Sequence, residues 1–154
     1  MKDQPNSAIA SLTLPSLRIL PPEPPHTYVG IAHAMLEGVK ALAEAENPPA
    51  LALALLAAHT LECTLKAYLS RSGDDNRLKV RAVRHNLNAL WSLAYAEGLS
   101  VPSNPPQWAD TLSHLHNSPY YLRYSIGVHG IGSPAVEPMT TELQGILSQV
   151  LSQR

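Results

Sequence analysis

Residues HTLECTLKAYL, from His59 to Leu69, set an imidazole, a carboxylate and an ammonium into the most apolar segment of the chain. Steps of three and four residues keep side chains on one helical face, so Leu55, His59, Glu62, Lys66 and Leu69 form one stripe in which the polar groups are neighbours. The adjoining stripe of Ala54, Ala58, Leu61, Leu65 and Tyr68 is apolar. Two arrangements satisfy these groups. In one, Glu62 and Lys66 pair across a helical turn on an exposed strip, contributing about a few tenths of a kcal/mol, and His59 is half-buried. In the other, Glu62 is buried and receives Arg123 or His85 from another segment, because a carboxylate inside a core needs charged, hydrogen-bonding partners. Arg123 leads here, since the Tyr and Leu residues of YYLRY would carry it into the structure.

Phosphate chemistry has a second set of candidates. Six of the eleven basic residues fall between Lys66 and Arg84, and Arg77, Lys79, Arg81 and Arg84 could present a positive face to nucleic acid. The competing expectation is an ordinary solvated loop. His114 and His116 lie about 200° apart on a helix, which is poor geometry for joint ligation, and no acidic cluster adjoins them, so no metal is expected. Gly127, Gly130 and Gly132 reverse the order of a dinucleotide fingerprint, and no serine has a nucleophile-elbow setting; no cofactor is expected. Trp91 and Trp108 recur with leucines and read as core. The single Cys63 excludes an internal disulfide and a cysteine-based zinc site.

The elements that must position these residues are helical. Six of the fourteen prolines fall within residues 1–26, predicting a Pro-rich extended arm ahead of one domain over 27–154. Thr27 is a candidate N-cap for a first helix carrying Tyr28, Ile31, Met35, Val39 and Leu42; Pro48-Pro49 opens a second, central helix reaching about Ser72. A third helix runs from His85-Asn86 to Gly98, a fourth from Asn104-Pro105-Pro106 to Pro119, and a fifth begins at Pro138. Between the last two, PYYLRYSIGVHGIGSPAVEP predicts extended chain passing into a long ordered loop. The fold expected is an all-α bundle of about five helices.

At 154 residues, with 45% apolar and 15% charged side chains, the chain fits one domain, and its sparse charge points to some of the surface being covered by a partner or a second subunit. A net charge of −1 excludes a global positive field, so any nucleic-acid contact must be local. No segment reaches the length expected of a membrane span, and the expectation is a cytoplasmic protein without membrane contact.

The run HTLECTLKAYLSRSG, the later HNLNALWSLAYAEGL and the Arg-to-His segment after the fourth helix resemble HEPN domains of prokaryotic proteins, over roughly residues 27–130. The resemblance implies a helical bundle that dimerises. In the family's catalytic members an Arg followed a few residues later by a His cleaves RNA without a metal; here five residues separate Arg123 from His129. Carried over, His129 would exchange protons with the ribose hydroxyl or the leaving oxygen, and Arg123 would stabilise charge on the phosphate. Glu62 would match a supporting polar residue of the second helix. Active members place the Arg and His near the start of a helix, whereas the glycines here predict a loop.

Three functions follow. The leading one is a HEPN-like homodimeric module, RNA-associated or regulatory, of defence or toxin–antitoxin type, with an antitoxin or nucleotidyltransferase as partner. The second is a metal-independent endoribonuclease using Arg123 and His129. The third is a structural adaptor whose polar groups only fix its own packing.

Overall fold

The computed structural model describes residues 21–124, 130 and 132–153, and is all-helical over them. Five helices follow in order: α1 (His26–Ala43), α2 (Ala50–Leu69), α3 (Leu87–Ala96), α4 (Gln107–His116) and α5 (Val136–Ser152), with a short 3-10 turn at Asn76–Leu78. Helix α2 is the axis of the bundle. It packs against all four others, most extensively against α1, and every residue from Thr60 to Leu69 is buried. Ala54, Ala57, Ala58 and Ala67 keep its surface shallow, so neighbouring helices can approach while Leu53, Leu61, Leu65 and Leu69 fill the space between them.

By length and composition α2 could cross a bilayer, contrary to the expectation from sequence, but 67% of that stretch is buried inside the bundle. Its apolar character answers to four packed neighbours.

Several boundaries differ from those the sequence predicts. Helix α1 starts at His26, and Thr27 Oγ1 instead accepts from the Glu23 amide at 2.7 Å. Helix α4 starts after Pro106 rather than at Asn104, and α5 starts two residues before Pro138. In both, proline occupies the first turn or its threshold, where its missing N–H leaves no bond unmade. The largest correction is at PYYLRY. Residues 118–123 form successive tight turns, not extended chain, closed by Tyr120 N to Asn117 O at 2.7 Å and Arg123 N to Tyr120 O at 2.9 Å. Ser125 to His129 and Ile131, within the expected loop, lie outside the described residues, as does the arm up to residue 20.

Helix α3 is closed at both ends by its sequence. Asn86 caps the start, its side chain accepting from the Ala89 amide at 3.1 Å. At the other end Gly98, at φ +95°, turns the chain so that Leu99 N reaches Ala94 O at 2.9 Å and Gly98 N reaches Tyr95 O at 3.0 Å. A Cβ at Gly98 would meet only an ordinary contact, 3.7 Å from the Tyr68 hydroxyl, so the cost of adding one is in the backbone. Gly98→Ala is expected to lower the unfolding free energy by about 1–2 kcal/mol in urea titration; an unchanged midpoint would show that this cap does not hold α3.

Candidate functional site

Glu62 is the centre of the site. It is buried, 3% exposed, on the inward face of α2, and three donors from three elements meet its carboxylate. Lys66, one turn on in α2, donates to Oε1 at 2.7 Å. His85, just ahead of α3, donates from Nδ1 to Oε2 at 3.2 Å, and His116, the last residue of α4, donates from Nε2 to the same oxygen at 2.5 Å. The Asn86 cap fixes the backbone beside His85, and the Trp108, Leu112, His116 stripe of α4 turns His116 inward, where it is 1% exposed.

Burial alone would push the Glu62 carboxyl up. The hydrogen bond from His116 and the charge and hydrogen bond of Lys66 outweigh it and hold the group at about 2. The Glu62 carboxylate and the Lys66 ammonium offset each other inside the core, and both imidazoles serve as oriented donors. Burial lowers the basicity of His85 and of His59, with Glu62 acting the other way on each. His59 is half-buried, its Nε2 3.9 Å from Cys63 Sγ, and does not join the carboxylate. Burial drives the Cys63 thiol up to about 12, so it is an inert core group.

Of the two arrangements predicted for the stripe, the structure combines parts of both. Glu62 and Lys66 do pair at one turn's separation, but in the core; Glu62 does receive His85, but Arg123 makes no ion pair with it among the described residues. The predicted Arg123 contact fails because the turns after α4 leave Arg123 exposed, while the buried Leu122 anchors the segment. Sequence reasoning missed His116. Judging His114 and His116 as a pair on one helix overlooked that His116 continues the buried stripe of Trp108 and Leu112, the signal that would have found it.

A cavity of about 140 Å³ opens beside this centre, lined by Arg84, His85, Tyr120, Arg123 and Tyr124. Tyr120 takes φ +67°, a conformation bulky residues rarely adopt, and stacks edge-on against His85 at 6.1 Å. His116 meets the same ring edge-on at 6.0 Å, so two rings pack against His85. The cavity is cationic: among the described residues neither Arg84 nor Arg123 has an acidic partner, unlike most other basic groups nearby. Arg77 is engaged by Glu97 and by Leu69 O, and Lys79 by Asp75 at 2.7 Å. Of the four residues predicted to contact nucleic acid, Arg81 and Arg84 are exposed and have no such partners among the described residues. His129 lies outside the described residues.

Glu62, His85 and His116 also offer three ligand atoms within 4.8 Å of one another, a grouping the single-helix argument against metals did not consider. To hold a cation they would have to surrender both imidazole protons now shared with Oε2, next to an ammonium already on Oε1. As arranged, they form a closed hydrogen-bonded network with Lys66. Compared with known proteins, the chain has no significant match among family models, curated proteins or solved structures.

The network has two measurable consequences. Glu62→Gln strands the Lys66 charge in the core and is expected to cost about 3–5 kcal/mol in urea unfolding, whereas Glu62→Leu with Lys66→Met recovers most of it; equal losses in both variants would contradict the charge argument. The pH response follows from signs. His59 and His85 are less basic folded than unfolded, so their contribution is complete above the ordinary histidine value of 6.5 and shrinks as pH falls below it. Glu62 is more acidic folded, so its contribution is complete above the ordinary 4.5 and is lost as pH falls through about 2. Thermal unfolding is expected to show a plateau near neutrality and two successive declines on acidification; a midpoint independent of pH from 7 to 3 would refute this.

Proposed function

We propose that the chain is a HEPN-like helical module that binds RNA through the backbone phosphates, as a homodimer in a prokaryotic cytoplasm. On this reading it works in a regulatory system of defence or toxin–antitoxin type, with an antitoxin or nucleotidyltransferase as its protein partner. One observation carries the RNA part: Arg84 and Arg123 converge on a small open cavity with no acidic side chain in its lining. Guanidinium groups match phosphate oxygens in a fixed, multiply bonded geometry, and Tyr120 and Tyr124 add hydroxyl donors and ring faces on which a base can stack. A net charge of −1 makes such a local patch the means of attracting a polyanion. The homodimer and the protein partner rest on the HEPN resemblance and on the low share of charged residues.

The structural-adaptor reading has one observation in its favour, the full use of the Glu62 carboxylate in internal bonds. It does not account for Arg84 and Arg123 facing an open cavity.

Fluorescence polarisation with single-stranded RNA separates the two readings. Arg84→Ala and Arg123→Ala should each weaken binding and reduce the salt slope by about 0.7, the value for one phosphate contact on a single strand. Arg77→Ala should change the slope less, because Glu97 already holds that charge. An RNA affinity unaffected by both cavity substitutions would leave only the adaptor.

A further inference from the structure

We infer that the Arg84–Arg123 cavity takes the terminal phosphate of an RNA strand, a phosphomonoester dianion, in preference to the phosphodiesters along its length. The inference rests on the phosphate-binding reading above and narrows it from phosphate in general to a strand end.

The size of the cavity sets the first condition. Its volume of about 140 Å³ is the space of roughly five water molecules, at about 30 Å³ each. One phosphate group with its oxygens fills that space, whereas a nucleoside does not enter it, so base and ribose stay outside. The lining offers two guanidinium groups, one imidazole and two phenols, with no carboxylate and no aliphatic side chain. Such walls suit a small anion that accepts hydrogen bonds.

Charge sets the second condition. Among the described residues neither Arg84 nor Arg123 has an acidic partner, and the Lys66 ammonium nearby is already offset by Glu62. Burial makes His85 less basic, so near neutrality it adds no third full charge. Two positive charges therefore line the cavity. A phosphodiester brings a single negative charge, whereas a phosphomonoester brings about 1.5–2 at pH 7. A phosphodiester also sends two of its oxygens out to the flanking riboses and leaves two for the guanidinium forks. A terminal phosphate sends out one and leaves three, which two forks can use more fully.

The lining is also tied down before an anion arrives. Arg84 N donates to Val80 O at 2.9 Å, while Arg123 N and Tyr124 N donate to Tyr120 O at 2.9 Å and 3.1 Å. His85, in the same lining, is anchored to Glu62 at 3.2 Å. Less of the binding free energy is then lost in ordering the site.

The test measures polarisation of one single-stranded RNA sequence, labelled at an internal base, with a 5′-phosphate, a 3′-phosphate, or hydroxyls at both ends. Wild type should bind at least one phosphorylated form about 10–100-fold more tightly than the hydroxyl form, the range for a hydrogen bond to a charged group. The form favoured names the end. Methyl esterification of that terminal phosphate removes one charge and one free oxygen, and should return the affinity to that of the hydroxyl form. Saturating inorganic phosphate should abolish the preference, because it occupies the same cavity. Combining Arg84→Ala with Arg123→Ala should also remove it, and since both side chains are exposed the thermal melt followed by circular dichroism should be unchanged. The ester and the competition use the wild-type chain and stand whether or not the variant folds. Equal affinity for the phosphorylated and hydroxyl forms overturns the end reading and spares the binding reading; no binding of any form overturns both. A methyl ester bound as tightly as the free phosphate, or a preference that survives in the double variant or under saturating phosphate, overturns the end reading as well.

Discussion

The structure depends on how a carboxylate is kept ionised inside an apolar bundle. A single buried charge costs several kcal/mol unless it is paired and its remaining lone pairs are used. Glu62 meets this requirement with Lys66 from its own helix and imidazoles from the start of α3 and the end of α4. These partners are separated along the chain, so the node closes only when α2, α3 and α4 have reached their final positions. Hydrophobic packing around α2 would tolerate small slides between helices; three directed hydrogen bonds to one carboxylate do not. The node thus sets the relative placement of the elements that border the cavity.

The connection from α2 to α3 is held by a second kind of pinning. Tyr28 of α1 donates to Asp75 at 2.8 Å, and Lys79 closes on the same carboxylate. Glu97, just past α3, gathers Arg71 and Arg77, while its carbonyl accepts from the Tyr68 hydroxyl. A segment that reads as a free basic loop is a strapped one, with most of its charge used internally. Of what remains, Arg84 from this connection and Arg123 from the turns after α4 line the cavity, while Arg81 lies outside its lining. Charge spent on folding and charge left for a partner are thereby separated in space.

The helices were legible because their signals are local. Apolar periodicity, prolines at the threshold of α2 and α4, the Asn86 cap and Gly98 each act within a few residues. The polar stripe on α2 was legible for the same reason, and the need of Glu62 for distant partners followed from burial. Which partners it would find was not legible, because that depends on where two other helices end. His116 was hidden by its neighbour His114, which is exposed and bonds to the Asp110 carbonyl at 2.8 Å; one residue of spacing sends the two rings to opposite sides of α4. The turn at PYYLRY was misread because tyrosine and leucine favour strands, and nothing in their types announces that Tyr120 will take a positive φ. Tertiary contacts decided that segment: Leu122 enters the core and its amide reaches Leu115 O.

His85 stands at the boundary between these two regimes. Its inner edge belongs to a closed network and its outer edge to solvent, so one residue transmits the order of the core to an open surface. A histidine on the surface alone would sample several rotamers and both tautomers; one sunk in the core, as His116 is, would be ordered but unreachable. Half-burial resolves that conflict, and it requires an anchor behind the ring that is strong, charged and itself fixed. A hydrophobic replacement of Glu62 and Lys66 could preserve packing, yet it would leave His85 without a defined proton position. The buried ion pair is therefore better explained by the orientation it imposes on His85 than by the stability it adds.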